Sequence, residues 1–138
     1  MSERLFTPEE VDGLIPKLSE LVETAMDRHR QATALQHQLH EAQERVRISG
    51  GTLVDRRDWK ARAERLDGLA IEVRAVLREI NAMGGVVKDL DLGLVDFPGL
   101  VHEIRGDEAV NLCWKHGEAR VGFWHGFDEG YAQRKPLP

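Results

Sequence analysis

Residues 84–98 read GGVVKDLDLGLVDFP, and the chain changes character across them. Gly84-Gly85 stops a helix, because a glycine pair favours the left-handed cap and weakens helix continuation. Lys88–Asp91 forms an acidic crossover, and Leu94–Phe97 reads as the first strand of a sheet. Three carboxylates, Asp89, Asp91 and Asp96, lie among apolar residues in this one stretch.

Upstream, a helical pattern runs from Asp55 or Asp58 through Trp59, Ala63, Leu66, Leu69, Val73, Val76, Ile80 and Met83. Ser49-Gly50-Gly51-Thr52 precedes it as a turn. Before that turn, a longer helix is predicted over residues 8 to about 47. Thr7-Pro8-Glu9-Glu10 supplies its start: Thr7 as cap, Pro8 in the first turn, Glu10 closing a capping box. Leu5 and Phe6 are expected to pack back on that first turn. Val11, Leu14, Leu18, Leu21, Ala25, Arg28, Ala32, Leu35, Leu39, Ala42 and Val46 alternate in steps of three and four, a heptad seam of coiled-coil type. Pro16 predicts a bend. Arg28 falls on the seam, and the simplest expectation is a stem along it with the head at solvent or a Glu.

At 1.5 Å per residue the first helix spans about 60 Å and the second about 40 Å. Folded into an antiparallel hairpin, the first overhangs the second by residues 8–20. The apolar face of that overhang, Val11, Leu14, Ile15 and Leu18, needs the C-terminal segment as its partner.

In that segment, Val110–Lys115 and Glu118–His125 alternate on either side of His116-Gly117, which predicts a two-residue hairpin. Lys115 then faces Glu118, and Val110 faces Phe123. Val110, Leu112, Trp114, Val121 and Phe123 share one face, with His125 at its end. Asn111, Cys113, Lys115, Glu118, Arg120 and Trp124 share the other. Leu100–Arg105 reads as a further strand, although this puts Glu103 on the apolar side. Residues 127–138 look irregular.

Composition narrows the function classes. Hydrophobic residues at 41% and charged residues at 31% fit a water-soluble globular chain of 138 residues. A net charge of −5 argues against wholesale binding to nucleic acid or anionic membrane. Cys113 is the one cysteine, so no disulfide can form within the chain. Neither a signal-peptide run nor a membrane-spanning stretch is present, and the location expected is cytoplasmic.

FTPEEVDGLIPKL, KDLDLGLVDFP, LCWKHGE and FWHGFDEGYAQRKPL, in that order, resemble the bacterial and archaeal family called domain of unknown function 2203. The resemblance covers essentially the whole chain. It implies no particular activity, substrate or catalytic residue, and it puts most weight on Lys88–Pro98 and Cys113–His125.

Chemistry, if present, is expected at the hinge and the sheet. Asp89, Asp91 and Asp96 with His125 offer oxygen and imidazole ligands to a divalent metal ion. Glu118 and Trp124 complete this candidate site. Turn capping and pairing with Lys88, Arg134 or backbone amides is the simpler account of the aspartates. His125 suits a base, a ligand or a structural hydrogen bond. Cys113, on a strand, reads as a buried and inert thiol. His37 and His40 with Glu41 and Glu44 fall on an outer helix face. Residues 44–65 carry seven basic and four acidic side chains, and residues 88–108 carry six acidic and two basic ones. Arg45, Arg47, Arg56, Arg57 and Lys60 at the hairpin tip therefore offer a docking surface for an anionic partner, whether an acidic protein face or RNA. The tip lacks the interleaved aromatics of a single-strand binder, which disfavours nucleic acid.

The expected architecture is one α+β domain: a helical hairpin over residues 1–85, then a small antiparallel sheet over residues 86–138 beneath the first helix. An apolar flank at Ile15, Leu69 and Val76 predicts a homodimer through the arm. Three functions compete: the leading one is a non-enzymatic interaction or scaffold protein using the arm, followed by a metal-binding protein or metal-dependent enzyme, and then an RNA- or nucleoid-associated protein.

Overall fold

A computed structural model describes residues 4–50 and 55–138. Helix α1 spans Pro8–Ser49 and helix α2 spans Arg56–Met83, and the two pack as the expected hairpin. The capping box forms in full: the Glu10 N–H donates to Thr7 Oγ1 at 3.2 Å, and the Thr7 N–H donates to Glu10 Oε1 at 3.0 Å. Every predicted seam residue of α1 is buried or half-buried. Arg28 lies along this seam and reaches Glu72 of α2 at 3.0 Å. The helix continues unbroken through the exposed Pro16. Gly50 ends α1 in the left-handed region, while Gly51 and Thr52 of the predicted turn lie outside the described residues.

A five-stranded antiparallel sheet follows in simple order: β1 (Val86–Asp89), β2 (Leu94–Gly99), β3 (Val110–Lys115), β4 (Phe123–His125) and β5 (Lys135–Pro136). The α2 helix stops at Gly84, whose φ of 104° suits glycine, and the Phe6 ring occupies the space a side chain there would need. Phe6 is buried, donates its N–H to Pro98 O at 2.9 Å and accepts from the Leu100 N–H at 3.0 Å. Its ring meets Phe97 edge-on at 5.3 Å. Leu5 instead stays exposed, because the backbone pairing of Phe6 turns it outward. Val11, Ile15 and Leu18 of the overhang pack with Val95, Phe97, Leu112 and Trp114 of the sheet into one core.

Two local expectations are overturned. Leu100–Arg105 is not a strand: His102–Arg105 forms a short helix, α3, which puts Glu103 at the surface. The hairpin register is also different. The tight turn forms, with the Glu118 N–H donating to Lys115 O at 3.0 Å and Gly117 at φ 99°. The ladder does not resume there. The Glu118 carboxylate takes the Lys115 N–H at 2.7 Å, and Trp114 Nε1 donates to Glu118 O at 2.9 Å. Residues 119–122 then bow out towards α1, where the Val121 N–H donates to Asp12 Oδ1 at 2.8 Å. Pairing restarts with Cys113 opposite Phe123, Leu112 opposite Trp124 and Asn111 opposite His125. Val121 keeps its expected place in the core, but as a loop residue.

That slip of three residues is odd, so it exchanges the two faces of β4. Trp124 joins Leu112 and Trp114 on the helix side, which corrects the expectation that it faces away. Phe123 and His125 move to the side of Cys113. Ile15 and Leu69, expected to form an uncovered flank with Val76, are buried within the chain itself, and Val76 is half-buried.

Candidate functional site

Asp96 on β2 and Cys113 on β3 are cross-strand partners, and His125 on β4 pairs with Asn111, two residues along from Cys113. All three project from the sheet face turned away from the helices. They are buried, at 3%, 1% and 3% exposure, beneath the C-terminal segment that follows β4. One ligand atom from each lies within 4.8 Å of the others. Asp96 Oδ2 and His125 Nε2 are 3.0 Å apart.

Hydrogen bonding defines the imidazole. His125 Nδ1 lies 2.8 Å from Gly126 O, and a carbonyl only accepts, so Nδ1 carries a proton. Nε2 faces the Asp96 carboxylate. The Cys113 thiol is pushed up to about 11, first by burial and then by the neighbouring Asp96 carboxylate, with Arg134 pulling the other way. A thiol so placed is no nucleophile on its own. His125 cannot serve as its base while both ring nitrogens hold other partners. Arg134 pairs with Glu118 at 3.3 Å and lies 3.9 Å above the Phe123 ring. Burial is the largest single influence and works against its charge, but the hydrogen bond and charge of Glu118, with a smaller share from Cys113, together raise its pKa.

The cluster opens onto a cavity of about 160 Å³ lined also by Lys88, Asn111, Phe127 and Tyr131. A larger cleft of about 630 Å³ lies between the start of α1, residues 100–103 and the chain end, with Glu9, Asp12, Glu103 and Arg120 around it. It gathers no buried titratable group among the described residues, and Asp12 there is committed to Val121. The smaller cavity, lined by the buried cluster, is therefore the candidate site.

The other expected site residues disperse. Asp89 caps the turn after β1: its Oδ1 accepts from the Asp91 and Leu92 N–H groups at 2.8 and 2.9 Å. Asp91 is exposed and pairs with His29 at 3.2 Å. The expected three-aspartate cluster does not converge, because the bulge in β1 and the turn at residues 90–93 direct Asp89 and Asp91 away from Asp96. Glu118 stands one step removed, joined to the cluster through Arg134. Trp124 is on the opposite sheet face, with Arg105 and Lys135 above its ring at 5.3 and 4.6 Å. Cys113 is the member that sequence reasoning set aside. At the tip, Arg47 pairs with Glu44, Lys60 with Glu64 and Arg62 with Asp58. Arg45, Arg56 and Arg57 are exposed and make no ion pair among the described residues. His37 pairs with Glu41 at 2.9 Å on a solvated face.

The chain matches the family described as "Uncharacterized conserved protein (DUF2203)" over residues 4–137 and belongs to it. No curated protein and no solved structure matches it. No helix among the described residues is long and apolar enough to cross a membrane.

Proposed function

We propose that the chain binds a divalent transition-metal ion of the zinc class through Asp96, Cys113 and His125. The supporting observation is the convergence of three buried ligand atoms, one oxygen, one sulfur and one nitrogen, within 4.8 Å. Around a tetrahedral zinc ion such atoms stand about 3.5 Å apart, given bonds of about 2.0–2.3 Å. The 3.0 Å separation of Asp96 and His125 and the 4.8 Å limit bracket that value, so small side-chain shifts close the site. Metal-bound histidines commonly donate their remaining N–H to a backbone carbonyl, and Gly126 O accepts here in that manner. The mixed donor set favours zinc over magnesium or calcium, which prefer oxygen alone. Three protein ligands beside a cavity match open sites that keep a coordination position for water or substrate.

Elemental analysis of protein purified with added zinc should give one equivalent. Cobalt in its place should produce a thiolate-to-cobalt absorption band. Cys113→Ser should abolish the band and His125→Ala should strongly weaken binding, while Asp89→Asn and Asp91→Asn leave both unchanged. Wild-type protein that takes up no metal removes the proposal.

A second reading keeps the arm as an interaction surface, with a second copy of the chain as the simplest partner. Ile48 and Ile71 favour it, since they stand 81% and 57% exposed on the arm. Sedimentation should then reveal dimers at micromolar concentration, lost in Ile71→Glu. A monomer throughout disposes of it. Docking of RNA on the tip has less support, because acidic partners on the same helices already balance Arg47, Lys60 and Arg62.

A further inference from the structure

We propose that the metal centre takes a small monocarboxylate, held between the ion and the Lys88 ammonium. This rests on the metal-binding reading above and goes on to name the ligand class.

Size comes first. The cavity measures about 160 Å³. An apolar cavity of about 150 Å³ takes benzene, so a ligand of roughly six heavy atoms fits and a nucleotide or peptide does not.

Charge comes second. A divalent ion with ligated Asp96 and Cys113 carboxylate and thiolate, and a neutral His125, sums to zero. Glu129 also lines the cavity, but Lys135 Nζ holds it at 2.8 and 3.0 Å, and the Gly126 N–H donates to it at 2.8 Å. Lys88 lines the cavity with no ion-pair partner among the described residues. Among the described residues that line the cavity, the one uncommitted charge is thus positive, and it selects a monoanion over a neutral ligand or a dianion.

Shape comes third. Phe127 stands 59% exposed against the cavity, while Leu94 is buried in its wall. An exposed aromatic beside an apolar wall favours a short alkyl substituent on the bound acid. A carboxylate with one oxygen on the open metal position and the other towards Lys88, its alkyl group against Phe127, meets all three conditions.

The test uses the full chain loaded with cobalt and follows the visible spectrum during titration with propionate, propionamide and inorganic phosphate. Propionate should shift the spectrum saturably and propionamide should not. Lys88→Gln should bind propionate about fivefold more weakly, as befits a solvent-exposed charge pair. Its metal stoichiometry and thiolate-to-cobalt band should stay unchanged, which separates loss of the ligand contact from loss of the fold. A normal cobalt band that propionate does not perturb overturns the proposal and leaves the metal centre standing. So does equal affinity in Lys88→Gln, or tighter binding of phosphate than of propionate. Failure to form any cobalt band removes the metal centre and this ligand together.

Discussion

Cys113 carries the most diagnostic chemistry of any single residue. Its thiol is held up to about 11 against an ordinary 9.0, mainly by burial. In the metal-free protein the folded chain therefore keeps a proton between about pH 9 and 11 that the unfolded chain has lost. Stability then falls as pH rises through that window, because the native state binds the extra proton. A two-unit shift corresponds to about 2–3 kcal/mol when fully developed, and to nothing below the unfolded value. Urea unfolding of metal-free protein at pH 8 and at pH 10.5 should show this loss. Cys113→Ser should lose less across the same interval, since the two proteins differ only at this side chain. Parallel curves for the two would show that the thiol is not held in its neutral form. Metal binding reverses the preference by taking the thiolate, so loaded protein should resist the same rise in pH.

The element that decides whether the site exists is the strand β4, and its placement hangs on one distant contact. Local alternation around His116-Gly117 predicts a hairpin that pairs Lys115 directly with Glu118, and the turn does form. What local sequence does not contain is Asp12, more than a hundred positions upstream, whose carboxylate takes the Val121 N–H. That bond, with Val121 in the core, draws residues 119–122 out of the ladder and slides β4 by three residues. An odd slide brings His125 to the face of Cys113 and Asp96 and carries Trp124 away from it. Asp96 and His125 were thus legible as members of the candidate cluster from their chemistry, and Cys113 was not, because its partners depend on that register. The two long helices were legible almost to the residue, since cap, heptad spacing and glycine stops are all local signals. Strand β1 was missed because Val86–Asp89 is a four-residue edge interrupted by a bulge. Asp12→Ala should cost about 1–2 kcal/mol in chemical denaturation, the penalty for a partly buried N–H left without its acceptor. It should also weaken metal uptake by freeing β4. Thr7→Ala should cost about 1 kcal/mol through the lost cap, with metal uptake intact. An Asp12→Ala protein that matches wild type in both respects would show that the register is held by other means.

At the scale of the whole molecule, stability is distributed unevenly between head and arm. The core that joins helices to sheet reaches only to Met26 on α1 and starts again at Val76 on α2. Farther out, the buried residues of the described helices are Ala42 and Leu69. The charged pairs along the arm are exposed and contribute little each. Helices with so thin a shared seam are marginal once separated from a larger core. The sheet, by contrast, is anchored by Trp114, Phe97, Val95 and Leu112, all fully buried. Native-state hydrogen exchange should therefore divide the chain into two tiers. Amides of residues 94–97 and 110–115 should exchange only by global unfolding. Those of residues 31–49 and 56–65 should exchange through local opening, with protection that depends weakly on denaturant. Equal protection along the full length of α1 in a monomer would contradict this division. Protection of the arm that rises with protein concentration would instead identify a second copy as its cover, because binding stabilises a segment by mass action. The same experiment thus measures the arm's intrinsic stability and tests the partner proposed for it. Adding zinc should raise protection first around Asp96, Cys113 and His125 and leave the arm tier where it was. Coupling of the arm to such a metal would run through the core that joins helices to sheet, which ends at Met26 on α1 and Val76 on α2.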